Sequence, residues 1–110
     1  MDKIKDWLDK LIKLWKARDV DSVVLLFDKY CETFDTPFSI AGDVYSDWQE
    51  IKTQNIKNIN YKILMIQDYE CVVEFIINYD NEICSALNHL KFNNDYKCIY
   101  LKQWYMTKYL

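Results

Sequence analysis

The stretch from Tyr69 to Met106, YECVVEFIINYDNEICSALNHLKFNNDYKCIYLKQWYM, decides how this chain is built. Valine, isoleucine, phenylalanine and tyrosine dominate it, and Asp80-Asn81 and Asn93-Asn94-Asp95 interrupt it where short polar side chains favour tight turns. It therefore reads as long antiparallel strands, Tyr69 to Tyr79, Glu82 to Phe92 and Tyr96 to Met106, with another before them from Ile59 to Ile66. A sheet with one face in water alternates apolar and polar residues. The penultimate strand instead carries Cys84, Ala86, Leu90 and Phe92 on one face and Ile83 and Leu87 on the other. The last strand does the same, setting Cys98, Tyr100, Trp104 and Met106 against Ile99, Leu101 and Tyr105. Both faces of this sheet require cover.

The sequence before the strands supplies cover for one face. Ile4, Trp7, Leu8, Leu11, Ile12 and Trp15 recur at three- and four-residue steps, the spacing of one helix face, over about Lys3 to Ala17. The carboxylates of Arg18-Asp19-Val20-Asp21-Ser22 can accept the unpaired amides of a second helix, which should run through Val23 to Phe27 and end near Asp28 or Lys29. Tyr30 to Thr36 reads as a strand stopped by Pro37, which has no amide to donate. Ser46 with Gln49 matches a capping box, so a third helix carrying Trp48 and Ile51 is expected from Asp47 to about Lys52 or Asn55. Helices gathered before an antiparallel sheet make an α+β fold, read here as one domain over residues 1–110. The uncovered sheet face is expected to meet a second copy across a two-fold axis.

Composition narrows the function. The chain has 110 residues, a formal net charge of -3, and one each of Gly, Pro and His. A single glycine excludes a glycine-rich phosphate loop, and a single histidine removes most zinc sites, so neither a cofactor nor a metal is expected. Lysines scattered from Lys3 to Lys108 and an acidic excess of 17 to 14 argue against nucleic acid as a partner. No apolar run approaches a membrane span and the first residues are charged, so a cytoplasmic protein without membrane attachment is expected. Cys31, Cys71, Cys84 and Cys98 form no C-x-x-C pair and read as reduced thiols.

Several strings, in order, resemble the SnoaL-like branch of the nuclear-transport-factor-2-like superfamily, which includes ketosteroid isomerases and polyketide cyclases. They are Trp15 to Asp21 leading to Leu26-Phe27, Phe34-Asp35-Thr36-Pro37-Phe38, Trp48, and Leu90 to Cys98 running on to Gln103-Trp104-Tyr105. The resemblance covers nearly the whole chain. It implies a cone-shaped fold, three helices on a curved, mainly antiparallel sheet, and a homodimer packed through the outer sheet face. It also implies an apolar cavity for a small hydrophobic molecule, lined by Trp15, Phe34, Thr36, Phe38, Trp48, Asn88, Leu90, Leu101, Gln103 and Tyr105.

The resemblance also locates what this chain lacks. Where ketosteroid isomerases carry a basic carboxylate directly before the strand-ending proline, this sequence has Thr36, whose hydroxyl is no base near neutral pH. Asp35 stands one position earlier and is the candidate catalytic base if a bulge turns it inward. The oxyanion tyrosine position holds Leu11, and the second donor position holds Asn88, whose amide still donates. Gln103 replaces an acidic residue before the aromatic pair of the last strand. Glu70 and Glu74 could supply a carboxylate to the cavity but read first as exposed strand-edge charges, and the segment 39–46 and the C-terminal tail as covers for the cavity mouth. His89, with no visible carboxylate partner, falls on the outer face with Leu87, Tyr100 and Trp104 as interface. Two readings result: isomerase, cyclase or dehydratase chemistry by proton transfer, or a noncatalytic dimeric module that binds a ligand or scaffolds.

Overall fold

Helix α1, Asp2–Lys16, buries the stripe foreseen from its spacing: Ile4, Trp7, Leu8, Leu11 and Trp15 all lie in the core. The computed structural model describes the backbone of residues 2–36, 39–40 and 43–110, and the side chains of 3–34 and 43–110. Two short elements follow α1: helix α2, Val20–Val24, and strand β1, Phe27–Thr36. Strand β2, Ser39–Ile40, precedes helix α3, Val44–Trp48, which continues as a 3-10 turn over Gln49–Thr53. Four long strands complete the chain: β3, Ile56–Gln67; β4, Glu70–Tyr79; β5, Glu82–Phe92; and β6, Cys98–Tyr109. They form one six-stranded sheet in the order β2-β1-β6-β5-β4-β3, antiparallel except where β1 runs parallel to β6. The architecture is α+β, with helices on one face of the sheet, and no described helix is long and apolar enough to cross a membrane.

Three local expectations are corrected. The second helix stops at Val24, well before Asp28, because the Leu26 carbonyl accepts both the Trp7 indole N–H and the Cys98 amide, each at 3.0 Å. These bonds pull the chain onto β6 and start a strand at Phe27. The third helix is capped by Asp43, whose carboxylate accepts the Ser46 amide at 2.8 Å, while Gln49 instead bonds the Tyr45 carbonyl. In the last strand, a register shift opposite Lys91 and Phe92 puts Cys98 on the core face and Tyr100 on the outer face. A bulge inverts the alternation at one point, which a strict two-residue period cannot anticipate.

The core is a continuous layer between α1 and the inner sheet face. Trp7 meets Phe27 and Phe92 edge-on, with ring centroids 5.5 and 5.0 Å away. Cys71, Val73, Phe75 and Ile77 from β4 and Ala86, Asn88, Leu90 and Phe92 from β5 alternate inward. The thiols of Cys71 and Cys98 sit in this layer, and all four cysteines are free. Burial, with a smaller effect of Glu70, pushes the Cys71 thiol up to about 12 from its ordinary 9.0.

Two outcomes are expected. Arg18 closes α1 in the left-handed region, φ 58, while the Asp19 and Arg18 amides bond back to Leu14 and Trp15. A side chain there carries a steric cost that glycine avoids. Arg18→Gly should therefore change stability in urea unfolding by less than about 0.5 kcal/mol, the relief being offset by glycine's greater unfolded-state freedom and by loss of the Arg18 bond to the Asn55 side chain. Cys71 stays protonated in the folded chain while its unfolded counterpart ionises from about pH 9, so its stabilising contribution is complete below pH 9 and is lost as pH rises towards 12. Urea midpoints between pH 8 and 10.5 should fall more steeply for the wild type than for Cys71→Ala.

Candidate functional site

A cavity of about 100 Å³ lies between the inner sheet face and the helices. Its apolar walls come from α1 (Trp7, Leu11, Trp15), from Trp48 and Ile51 of the α3 segment, and from Phe75, Leu90 and Leu101 of the sheet. Trp15 and Trp48 stand edge to face, centroids 5.0 Å apart, and Phe75 packs against Trp15 at 5.9 Å. Rings in such contact hold one another in place and keep the walls rigid.

Register explains the polar groups. Asn88 and Gln103 are directly opposite one another across β5 and β6, and Leu90 and Leu101 are the next pair on the same face. Thr33 of β1 pairs with Leu101 across the parallel junction and is almost buried. These side chains thus project from adjacent strands into one cavity. Asn88, 3% exposed, donates an amide hydrogen to the Ala86 carbonyl at 3.2 Å, which fixes the plane in which its amide faces the cavity. From the opposite wall come Asp47, Glu50 and Gln54. Thr33 donates its hydroxyl to Asp47 Oδ2 at 3.1 Å, and Trp15 donates its indole N–H to Gln54 Oε1 at 3.3 Å. Among the described residues no buried side-chain nitrogen or oxygen lacks a partner, and no group of histidine, cysteine and carboxylate side chains is placed to hold a metal.

The site residues expected from sequence divide into three groups. Trp15, Trp48, Asn88, Leu90, Leu101 and Gln103 all line the cavity. Phe34 does not: it pairs with Lys102, its ring lies 5.6 Å from Tyr100, and it belongs to the outer face. Tyr105 shares a face with Asn88 and Gln103 but stands beyond the helical cover and is half exposed. The side chains of Asp35 and Thr36 and the whole of Phe38 lie outside the described residues. The C-terminal residues make no lid, because β6 continues to Tyr109 and the Leu110 amide bonds the Asn81 carbonyl.

Asp47, Glu50 and Gln54 also line the cavity, and the sequence pattern does not single them out. They recur with Ile51 at the spacing of one helix face, 47, 50/51 and 54, a signal that the larger apolar pair Trp48 and Ile51 masks.

On the outer face, Leu87 pairs with Trp104, His89 with Lys102 and Lys91 with Tyr100. His89 is not without a partner: its Nε2 lies 2.5 Å from Glu70 Oε2, and its ring is edge-on to Tyr100 at 5.4 Å. Glu74 accepts the Ser85 hydroxyl at 2.7 Å on the same face, so neither Glu70 nor Glu74 lines the cavity, and neither is an exposed edge charge, because β4 is an interior strand and both are half-buried. Strand geometry brings His89 and Glu70 together diagonally, a pairing that a search for neighbours in sequence does not reveal.

No family model matches the sequence and no curated protein matches it. Solved structures do match along nearly its whole length. The epoxide hydrolase/cyclase-like enzyme SalBIII, with a role in pyran ring formation in polyether salinomycin, superposes with a TM-score of 0.83 at 13% identity over 99% of this chain and 97% of the other. An NTF-2 like protein of unknown function from Burkholderia xenovorans gives 0.74 at 17% identity over 94% and 83%. A steroid delta-isomerase from Pseudomonas aeruginosa gives 0.69 at 12% over 98% and 81%. At these identities the likeness is one of fold. The chain has the nuclear-transport-factor-2-like fold, as the sequence resemblance implies.

Proposed function

We propose that this protein binds a small, mostly apolar molecule in the cavity between helix α1 and the sheet and moves a proton on it, in isomerase, cyclase or dehydratase chemistry. The observation that carries this reading is the meeting of carboxylates (Asp47, Glu50) and amides (Gln54, Asn88, Gln103) on a space otherwise walled by tryptophan, phenylalanine and aliphatic side chains. An apolar cleft with a few convergent polar groups is the usual form of a small-molecule site. Asp47, oriented by Thr33, takes the role of proton acceptor, and the amides of Asn88 and Gln103 that of donors to an oxygen on which charge develops. Asp35 remains the second candidate for the base.

The cavity volume limits the occupant. About 100 Å³ accommodates a single ring or one end of a longer molecule, not a polycycle in full. The molecule is sought by native mass spectrometry of protein purified without detergent, which should show a reproducible added mass. With that molecule supplied in heavy water, the wild type should incorporate deuterium into it, and Asp47→Asn should slow incorporation by about 100-fold or more. Bound ligand with no exchange above background in the wild type would leave the noncatalytic reading; unchanged exchange in Asp47→Asn with loss in Asp35→Asn would move the base to Asp35.

The outer sheet face completes the reading as a homodimer interface, in a cytoplasmic protein. Leu87, Tyr100 and Trp104 set apolar and aromatic area on that face, with Trp104 39% exposed. Large rigid aromatics at the centre of an interface contribute much of its energy. Trp104→Asp should convert the dimer seen in the same spectra to monomer; a dimer that survives this change removes the outer face as the interface.

A further inference from the structure

We propose that Gln54 selects the ligand's hydrogen-bonding polarity, through an amide that the Trp15 indole fixes in one orientation; this rests on the reading of the cavity as a small-molecule site. An indole nitrogen donates and cannot accept. The 3.3 Å contact of Trp15 Nε1 therefore requires the Gln54 oxygen on that side, since the flipped amide would set N–H against N–H. Both donors of the Gln54 amide are then turned away from the indole, in a residue that itself lines the cavity.

Little in this arrangement can turn. Trp15 is 9% exposed and wedged between Trp48 and Phe75, and the Gln54 backbone is held by its amide on the Ile51 carbonyl at 3.3 Å. A fixed donor calls for an acceptor on the ligand at that point. The described lining includes Asp47 and Glu50 and no lysine, arginine or histidine, so an anionic acceptor is repelled. The ligand class is thus a molecule without negative charge that sets an oxygen acceptor, carbonyl or ether, against Gln54. Its buried part is smaller than a six-atom ring, since about 100 Å³ is less than the roughly 150 Å³ of a cavity known to hold benzene, so a five-membered ring carrying one oxygen fills the space with little left over.

The test compares cyclopentanone with methylenecyclopentane, which differ by an oxygen against a methylene, in NMR titrations of labelled protein. The ketone should shift the Gln54 side-chain amide resonances and the alkene should not. In Gln54→Met the ketone's affinity relative to the alkene's should fall by roughly two- to tenfold, the range of one neutral hydrogen bond. Trp15→Phe, which removes the indole donor and keeps a ring, should give a smaller fall in the same direction. An unchanged ratio in Gln54→Met, or an equal loss for both probes, overturns the role of Gln54 while leaving the cavity reading in place. If neither probe binds the wild type, the cavity reading itself fails and this inference fails with it.

Discussion

The Leu26 carbonyl is the joint on which the structure depends. It accepts the Trp7 indole from α1 and the Cys98 amide from β6, and a carbonyl with two lone pairs is fully used by such a pair. One bond docks the helix on the sheet, the other ends α2 and starts β1 beside β6. That junction is the parallel one in the sheet, and the long connection that parallel partners need is supplied here by α3 and strands β3 to β5, which lie between β1 and β6 in sequence. Thr33 can then stand next to Leu101 and reach Asp47 only because β1 has been laid along β6 in this register.

How far the sequence could be read follows from which forces are local. The stripe of α1 and the alternation of β4 and β5 are periodic signals that each residue states independently, and both stand as expected. The shortened α2, the inversion at Cys98 and the outward turn of Phe34 depend on partners distant in sequence, Trp7, Lys91 and Tyr100 among them. The site was half legible for the same reason. Asn88, Gln103, Leu90 and Leu101 follow from strand register, whereas Asp47, Glu50 and Gln54 come from a short helix whose rotation is set by its packing on Trp15 and Phe27. With two inward candidates one residue apart, Trp48 and Asp47, pattern alone selects the larger apolar group.

Scarcity of glycine leaves a mark elsewhere. With a single Gly in the chain, the left-handed positions that end α1 and shape the turn before β6 fall to Arg18 and Tyr96. Each is compensated by contacts a glycine could not make: Arg18 reaches the Asn55 side chain at 3.0 Å, and the Tyr96 ring meets Tyr69 and Phe92 at 5.2 and 6.4 Å. Arg18 thereby ties the end of α1 to the segment that carries Gln54, so the helix terminus and the cavity wall are fixed together.

Within the cavity, charge is distributed by depth. The most enclosed polar groups, Thr33 at 8% and Asn88 at 3% exposure, are neutral, while Glu50 is exposed and Asp47 half-buried. An ionised carboxylate in place of Asn88 would lose its hydration among Phe75, Ala86 and Leu90, a cost that only a dedicated partner offsets. An amide there keeps a hydrogen-bonding function at the sheet end without that cost, and the carboxylates stay on a helical edge where water still reaches them. Asp47 and Glu50 consequently keep contact with solvent on the helical side, and the amides at the sheet end supply hydrogen bonds without a charge. The two walls thus divide the work by chemistry: the sheet supplies neutral hydrogen bonds on rigid strands, and the short helix supplies the charge.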